Sequence, residues 1–140
     1  MNIIRNVMAI IVGIIVGGFV NISIVSFGPS MIPAPAGVDV TNMKSIAQSI
    51  HLFEPKHFLF PFIGHAVGTF VGALCAFLIA ASYPVYMAIV VGCVFLAGGI
   101  TSAFMIPAPL WFVIVDIVFA YLPMALVAAL LIKKIITNRY

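Results

Sequence analysis

The stretch FPFIGHAVGTFVGALCAFLIA at residues 60–80 decides the fold of this chain. It is apolar over the length of about 20 residues that an α-helix needs to cross a bilayer. Small residues recur along it at every fourth position, at Gly64, Gly68, Gly72, Ala76 and Ala80. Positions four apart lie on one side of a helix, and small side chains there let two helix backbones approach closely in lipid. The stretch therefore predicts a membrane-spanning helix with a small-residue face.

The rest of the chain has the same apolar character. Hydrophobic residues make up 65% of the 140 residues and charged residues 6%, whereas a soluble domain carries about a quarter charged residues. Four runs are long enough to span a bilayer, at residues 7–27, 58–82, 85–106 and 110–132. We therefore predict an all-α, polytopic membrane protein, a four-transmembrane-helix bundle that forms a single domain over residues 1–140.

Positive charge near the helix ends predicts the orientation, because cytoplasmic segments carry an excess of Lys and Arg. Four such residues lie near the termini and two in the first loop, namely Arg5, Lys133, Lys134 and Arg139, and Lys44 and Lys56. We expect both termini in the cytoplasm. The scarcity of charged residues indicates a lipid bilayer as partner. The net charge of +3 is small and dispersed, which argues against nucleic acid as a partner.

The first loop, residues 28–57, is long enough to have structure of its own. It opens with GPSMIPAPAG at residues 28–37, which is too rich in proline to be helical. Residues 41–53 then show the pattern of a short amphipathic helix that Thr41 or Asn42 would cap. We expect this helix to lie on the outer membrane surface or over the mouth of the bundle.

The pentapeptide MIPAP occurs twice, at residues 31–35 and 105–109. Each copy follows an apolar helix that contains a Gly-Gly pair, at residues 17–18 and 98–99. The pattern indicates two duplicated hairpins related by an axis along the membrane normal. The alternative is that proline-rich turns recur after apolar helices without duplication.

The small-residue face has two interpretations. It packs against another helix of the same bundle, or it forms a homo-oligomer through Gly64, Gly68, Gly72, Ala76 and Ala80.

A proline at position 123 interrupts the fourth run and predicts a kink there.

Polar residues at membrane depth are energetically expensive and are therefore candidates for function. Asp116 is the only acid within a predicted span, and His65 is the best partner for it at similar depth. With the expected topology, a polar layer forms in the outer half of the bundle and consists of Asn21, His65, Thr69, Thr101, Ser102 and Asp116. The layer has three interpretations. Its residues satisfy one another's hydrogen bonds, or they bind a small polar or ionic ligand, or His65 and Asp116 take part in a proton-coupled process.

A second cluster lies in the loop, at His51, Glu54 and His57. Two imidazoles and a carboxylate are suitable ligands for zinc or another transition metal. Histidines and an acid on a solvated surface are the competing interpretation. No cofactor is identified by the sequence.

Two stretches, PKHFLFPFIGHAVGTFVGA at residues 55–73 and PAPLWFVIVD at residues 107–116, resemble those of small uncharacterised bacterial inner-membrane proteins with four helices. The resemblance implies the four-helix fold and a location in the bacterial inner (cytoplasmic) membrane. It implies no activity, so it assigns no functional residues.

Three functions are compatible with these features. The first is a small-ligand binding or transport module with a polar pocket in the outer half of the bundle. The second is an accessory or structural subunit that docks on a partner membrane protein. The third is a metal-dependent enzyme acting on a lipid or quinone. No catalytic motif is present, which favours the first two.

Overall fold

The computed structural model describes residues 2–138, and all regular secondary structure in that part of the chain is helical. Six α-helices and two 3-10 turns follow one another. The helices are α1 (Asn2–Met31), α2 (Met43–Ser49), α3 (Leu59–Ile79), α4 (Pro84–Met105), α5 (Leu110–Phe119) and α6 (Leu122–Thr137), with the turns at Ile50–Leu52 and Pro55–Phe58.

Four helical segments are long and apolar enough to cross a membrane, as the sequence predicts. They are α1, α3 with the turn before it, α4, and α5 together with α6. Successive segments run in opposite directions. One end of the bundle carries the loop between α1 and α3 and is called the loop end. The other end carries both termini and the turn between α3 and α4 and is called the terminal end.

Helix α3 lies at the centre of the bundle and contacts α1, α4 and α6. Its small-residue face packs on α1. A Cβ atom at Gly68 would lie 2.8 Å from the carbonyl oxygen of Gly17, and one at Gly72 would lie 2.6 Å from that of Gly13. The face is therefore filled within one chain, and an oligomer through it, which stays a prediction, requires α1 to move away.

Small residues fill the interior of the bundle and large apolar ones cover its outside. The alanines at positions 73, 88, 125, 128 and 129 are fully buried among α3, α4 and α6. By contrast, Phe19 is 73% exposed and Phe104 is 88% exposed. An apolar exterior around a close-packed interior of small residues is typical of helices that associate in lipid.

Helix α1 is longer than predicted, and the expectation that residues 28–37 contain no helix is wrong for its first part. The helix runs through Pro29 and ends at Met31, with the amide of Ile32 still donating to the carbonyl of Gly28 at 2.8 Å. Gly28 has no side chain, so the ring of Phe60 packs directly on it. This contact with α3 stabilises the last turn of α1 despite the proline.

Helix α3 is shorter than predicted, because Asn6 of α1 binds the backbone that follows it. The Oδ1 of Asn6 accepts hydrogen bonds from the amides of Ala81 and Ser82 at 2.9 and 3.2 Å. Its Nδ2 donates to the carbonyl of Ser82 at 3.1 Å. The tight turn that results places Tyr83 in the left-handed region (φ 52°) and Pro84 in the first turn of α4, where the missing amide hydrogen of proline costs nothing.

The fourth span is broken rather than merely kinked. Helix α5 ends at Phe119, and α6 begins at Leu122 with Pro123 in its first turn. Proline has no amide hydrogen to donate to the carbonyl of Phe119, so the helical ladder is interrupted where the sequence predicts it.

The loop contains a shorter helix than the predicted one. Helix α2 covers Met43–Ser49, and a 3-10 turn continues it to Leu52. Of the two predicted caps, Asn42 is the one used, because its Oδ1 accepts from the amides of Lys44 and Ser45 at 2.9 and 3.3 Å. Just before it, hydrogen bonds from the hydroxyl and amide of Thr41 lower the pKa of the Asp39 carboxyl.

Both MIPAP copies occupy the same position relative to a helix. Helix α1 ends at Met31 and α4 ends at Met105. Duplication of the two hairpins stays a prediction.

The orientation of the chain in the membrane also stays a prediction. Of the four basic residues near the termini that support it, Arg139 lies outside the described residues.

We predict that Gly68→Ala destabilises the bundle by about 1–3 kcal/mol relative to Gly18→Ala, because the added methyl group overpacks the contact between α1 and α3. A Cβ at Gly18 meets no atom within 4 Å, and the gain in helix propensity is common to both variants. Equilibrium unfolding in mixed micelles measures the difference. Equal stability of the two variants would contradict this packing.

Candidate functional site

Asp116 of α5 is the centre of a buried polar cluster, and its side chain is only 7% exposed. The Nδ1 of His65, on α3, lies 2.8 Å from one carboxylate oxygen and 3.0 Å from the other. The hydroxyl of Tyr121 donates to the Oδ2 of Asp116 at 2.7 Å. Its oxygen also lies 3.1 Å from the Nδ1 of His65. These three residues form what is called the His–Asp–Tyr cluster below.

The broken fourth span brings Tyr121 to Asp116. On a continuous helix, residues five apart point about 140° away from each other, at 3.6 residues per turn. The break at residues 120–121 reorients the Tyr121 side chain into the bundle, where it is 2% exposed. Gly99 of α4 makes room for it, because a Cβ there would collide with the Tyr121 hydroxyl.

The hydrogen bonds of the cluster set the orientation of the imidazole. With Asp116 ionised, its two oxygens accept from the Tyr121 hydroxyl and from the Nδ1–H of His65. The Nε2 of His65 then carries the lone pair of the neutral ring, and it has no hydrogen-bond partner among residues 2–138. An imidazole fixed in this way presents a hydrogen-bond acceptor, a proton acceptor or a metal ligand to whatever reaches Nε2.

A cavity of about 500 Å³ opens onto this imidazole from the loop end. We call it the loop-end cavity. His65, Ser102 and Asp116 line its inner part, and the wall that surrounds them is mainly apolar. That wall comes from α1, the loop, α4 and α5, including Val25, Pro29, Ile32, Ile46, Ile50, Phe53, Ile106, Phe112 and Val113. The size is in the range of small-molecule sites, which are mostly apolar with a few polar groups.

His57 connects the two ends of the loop that covers this cavity. Its Nδ1 accepts from the amide of Glu54 at 2.9 Å, and its Nε2 lies 3.1 Å from the carbonyl oxygen of Pro33, to which it donates. Beside it, Phe58 packs on Phe112 of α5 with 4.8 Å between ring centroids. The two ends of the loop are thereby held together over the cavity.

A second, smaller cavity of about 290 Å³ lies between α1 and α4 and is called the side cavity. It also reaches His65 and Ser102. Asn21 lines the side cavity only, with its Oδ1 buried and without a hydrogen-bond partner in the described chain.

Two residues of the predicted polar layer lie outside both cavities. Thr69 is fully buried, and its hydroxyl has no partner among the described residues. Thr101 is on the exposed side of α4, where its hydroxyl donates to the carbonyl of Ala97 at 2.8 Å. The structure thus brings together His65, Asp116 and Ser102, with Asn21 close by, and leaves the two threonines apart.

The predicted metal ligands in the loop are not assembled. Within residues 2–138, no three His, Cys, Asp or Glu side chains are placed to hold a metal ion. Both ring nitrogens of His57 already bind the backbone. The carboxylate of Glu54 pairs with Lys56 at 3.1 Å, and His51 lies exposed on the 3-10 turn Ile50–Leu52.

Sequence reasoning missed Tyr121 and Gly99. A signal for Tyr121 is present: it is a tyrosine within an apolar span, only two positions before the proline that breaks the helix. A buried phenol needs a hydrogen-bond partner, and Asp116 is the acid within that span. Gly99 carries no comparable signal, because its role depends on where Tyr121 points.

Comparison with protein-family models, curated proteins and solved structures finds no match to this chain.

We predict that Tyr121→Phe lowers the free energy of unfolding by about 1–3 kcal/mol, because it leaves a buried oxygen of Asp116 without its donor. Tyr86→Phe is the matched control, since Tyr86 is 65% exposed and a surface substitution changes stability by no more than about 0.5 kcal/mol. Equilibrium unfolding in mixed micelles compares the two variants. An unchanged stability of Tyr121→Phe would show that the hydroxyl does not satisfy Asp116.

Proposed function

We propose that this chain is an integral protein of a bacterial inner membrane that binds or transports a small ligand in the loop-end cavity. The observation that carries the proposal is the imidazole of His65. Asp116 and Tyr121 hold its Nδ1 side, while 21% of its side chain stays exposed in a bundle of apolar helices. A polar cluster that served packing alone would gain nothing from this exposure.

The proposed topology has both termini in the cytoplasm and the loop end outside. Arg5 and Lys133 lie at the terminal end, which supports it through the positive-inside rule. The loop-end cavity then lies in the outer half of the bundle, and the loop covers it from the outside.

The chemistry of the cavity limits the ligand. Its wall is mainly apolar, so the ligand is largely apolar, and His65 and Ser102 offer hydrogen bonds to one polar group. The residues that line the two cavities include no Lys or Arg. The single acid among them, Asp116, is already paired with His65. An anionic group would enter without a counter-charge, and a cationic one would find both oxygens of Asp116 already hydrogen-bonded by His65 and Tyr121. Either is costly in a desolvated site. We therefore assign a neutral polar group to the ligand.

We predict that His65→Gln lowers ligand retention about tenfold, the effect of losing one hydrogen bond of about 1.4 kcal/mol. Both proteins are purified in amphipol from the same membranes, and extracted small molecules are quantified by mass spectrometry.

The matched control is His51→Gln, which makes the same substitution at an exposed loop position that lines neither cavity. The proposal expects this variant to retain the ligand like the unsubstituted protein. Equal retention in the His65 variant, or no stoichiometric molecule in the unsubstituted protein, would count against a binding module.

A further inference from the structure

The side cavity reaches His65 by a different route from the loop-end cavity. It lies between α1 and α4, with Asn21 on one side and Val94 and Gly98 on the other. The two cavities share His65, Gly99 and Ser102. Both therefore open on the same imidazole, one from the loop end and one from the flank of the bundle.

Helices α1 and α4 are not in contact at Gly98, which lines the side cavity. Nearer the terminal end the two helices are in contact, since a Cβ at Gly17 would lie 2.9 Å from the ring of Phe95. One turn further along α4, a Cβ at Gly98 would meet no atom within 4 Å. The missing side chain leaves an opening where a larger residue would fill the space.

The opening lies at membrane depth. Gly98 is seven residues before the end of α4 at Met105, about 10 Å at 1.5 Å per residue. Helices α1 and α4 are both long and apolar enough to cross a bilayer. In the proposed topology the opening therefore faces the hydrocarbon of the bilayer rather than water.

Three polar side chains line the side cavity and can hydrogen-bond to a molecule in it. The Oδ1 of Asn21 is buried against α3, 2.9 Å from where a Cβ of Gly64 would be, so the Nδ2 group is the part of the amide that reaches the side cavity. Asn21 thus offers a donor, Ser102 a donor or acceptor, and the Nε2 of the neutral His65 an acceptor. A hydroxyl or carbonyl group satisfies this set without bringing a charge.

We propose that the side cavity is a lateral entrance through which a ligand dissolved in the bilayer reaches His65. The ligand is a molecule with a hydrocarbon chain and a neutral hydroxyl or carbonyl head group. The head group binds at His65, and the chain passes between α1 and α4. This inference rests on the proposed function and adds the class of ligand and its route.

The test uses Ser102→Cys, which places a thiol where the two cavities meet, with Cys75 and Cys93 both replaced by alanine. The protein is reconstituted in phosphatidylcholine vesicles. It is exposed either to a water-soluble methanethiosulfonate or to a maleimide that carries a hexadecyl chain and is dissolved in the bilayer. The rate of modification is measured by mass spectrometry.

We expect both reagents to modify Ser102→Cys. Adding Gly98→Leu fills the opening and slows the chain-bearing reagent about tenfold, while the water-soluble reagent reacts as before. Gly18→Leu is the matched control, because Gly18 also has open space around it and lines neither cavity. It leaves both rates unchanged. Val94→Trp is a second variant, because Val94 also lines the side cavity and a larger side chain there narrows the same opening.

The other outcomes separate this inference from the proposed function. Modification by the water-soluble reagent alone overturns the lateral entrance and leaves the loop-end cavity as the site. Reaction of the chain-bearing reagent at the same rate in Gly98→Leu and Val94→Trp also overturns the entrance, because the reagent then arrives by another route. No modification by either reagent overturns both.

Discussion

One carboxylate, Asp116, has to be satisfied inside an apolar bundle, and the arrangement of α3, α5 and α6 around it meets that need. A buried acceptor that is left without its hydrogen-bond donor costs about 1–3 kcal/mol, and more when it is charged. His65 and Tyr121 supply the partners here, one from the central helix and one from the far side of a helix break. The break at residues 120–121, where Pro123 ends the ladder, is thus what allows a single span to provide both the acid and one of its donors.

The glycines hold these partners at the required distance. Gly99 leaves the space that the Tyr121 hydroxyl occupies, and Gly68 lets α3 approach α1 closely. Where a glycine is not used for contact, at Gly98, it leaves an opening instead. The same residue type thus closes one side of the bundle and opens another, and the imidazole of His65 lies between the loop end and that opening.

Much of the fold could be predicted from the sequence, because span length and small-residue spacing are local patterns. The four spans, the Asn42 cap and the break near Pro123 follow from such patterns. The pair of His65 and Asp116 could also be predicted, since it was the best match of charge and depth. The places of Thr69 and Thr101 could not be, because depth says nothing about which side of a helix faces a cavity. Helix α1 is longer than predicted because the contact between Phe60 and Gly28 outweighs the local effect of proline.

Asp116 fixes the imidazole of His65 through Nδ1 and leaves Nε2 to the cavities. The solid-state ¹⁵N spectrum of histidine-labelled protein in bilayers tests this arrangement. The chain has three histidines, and the signals that disappear in His65→Gln are assigned to His65. We expect a protonated Nδ1 that is hydrogen-bonded to a carboxylate and becomes unprotonated in Asp116→Leu. A His65 with its proton on Nε2 alone, unchanged by that substitution, would contradict it.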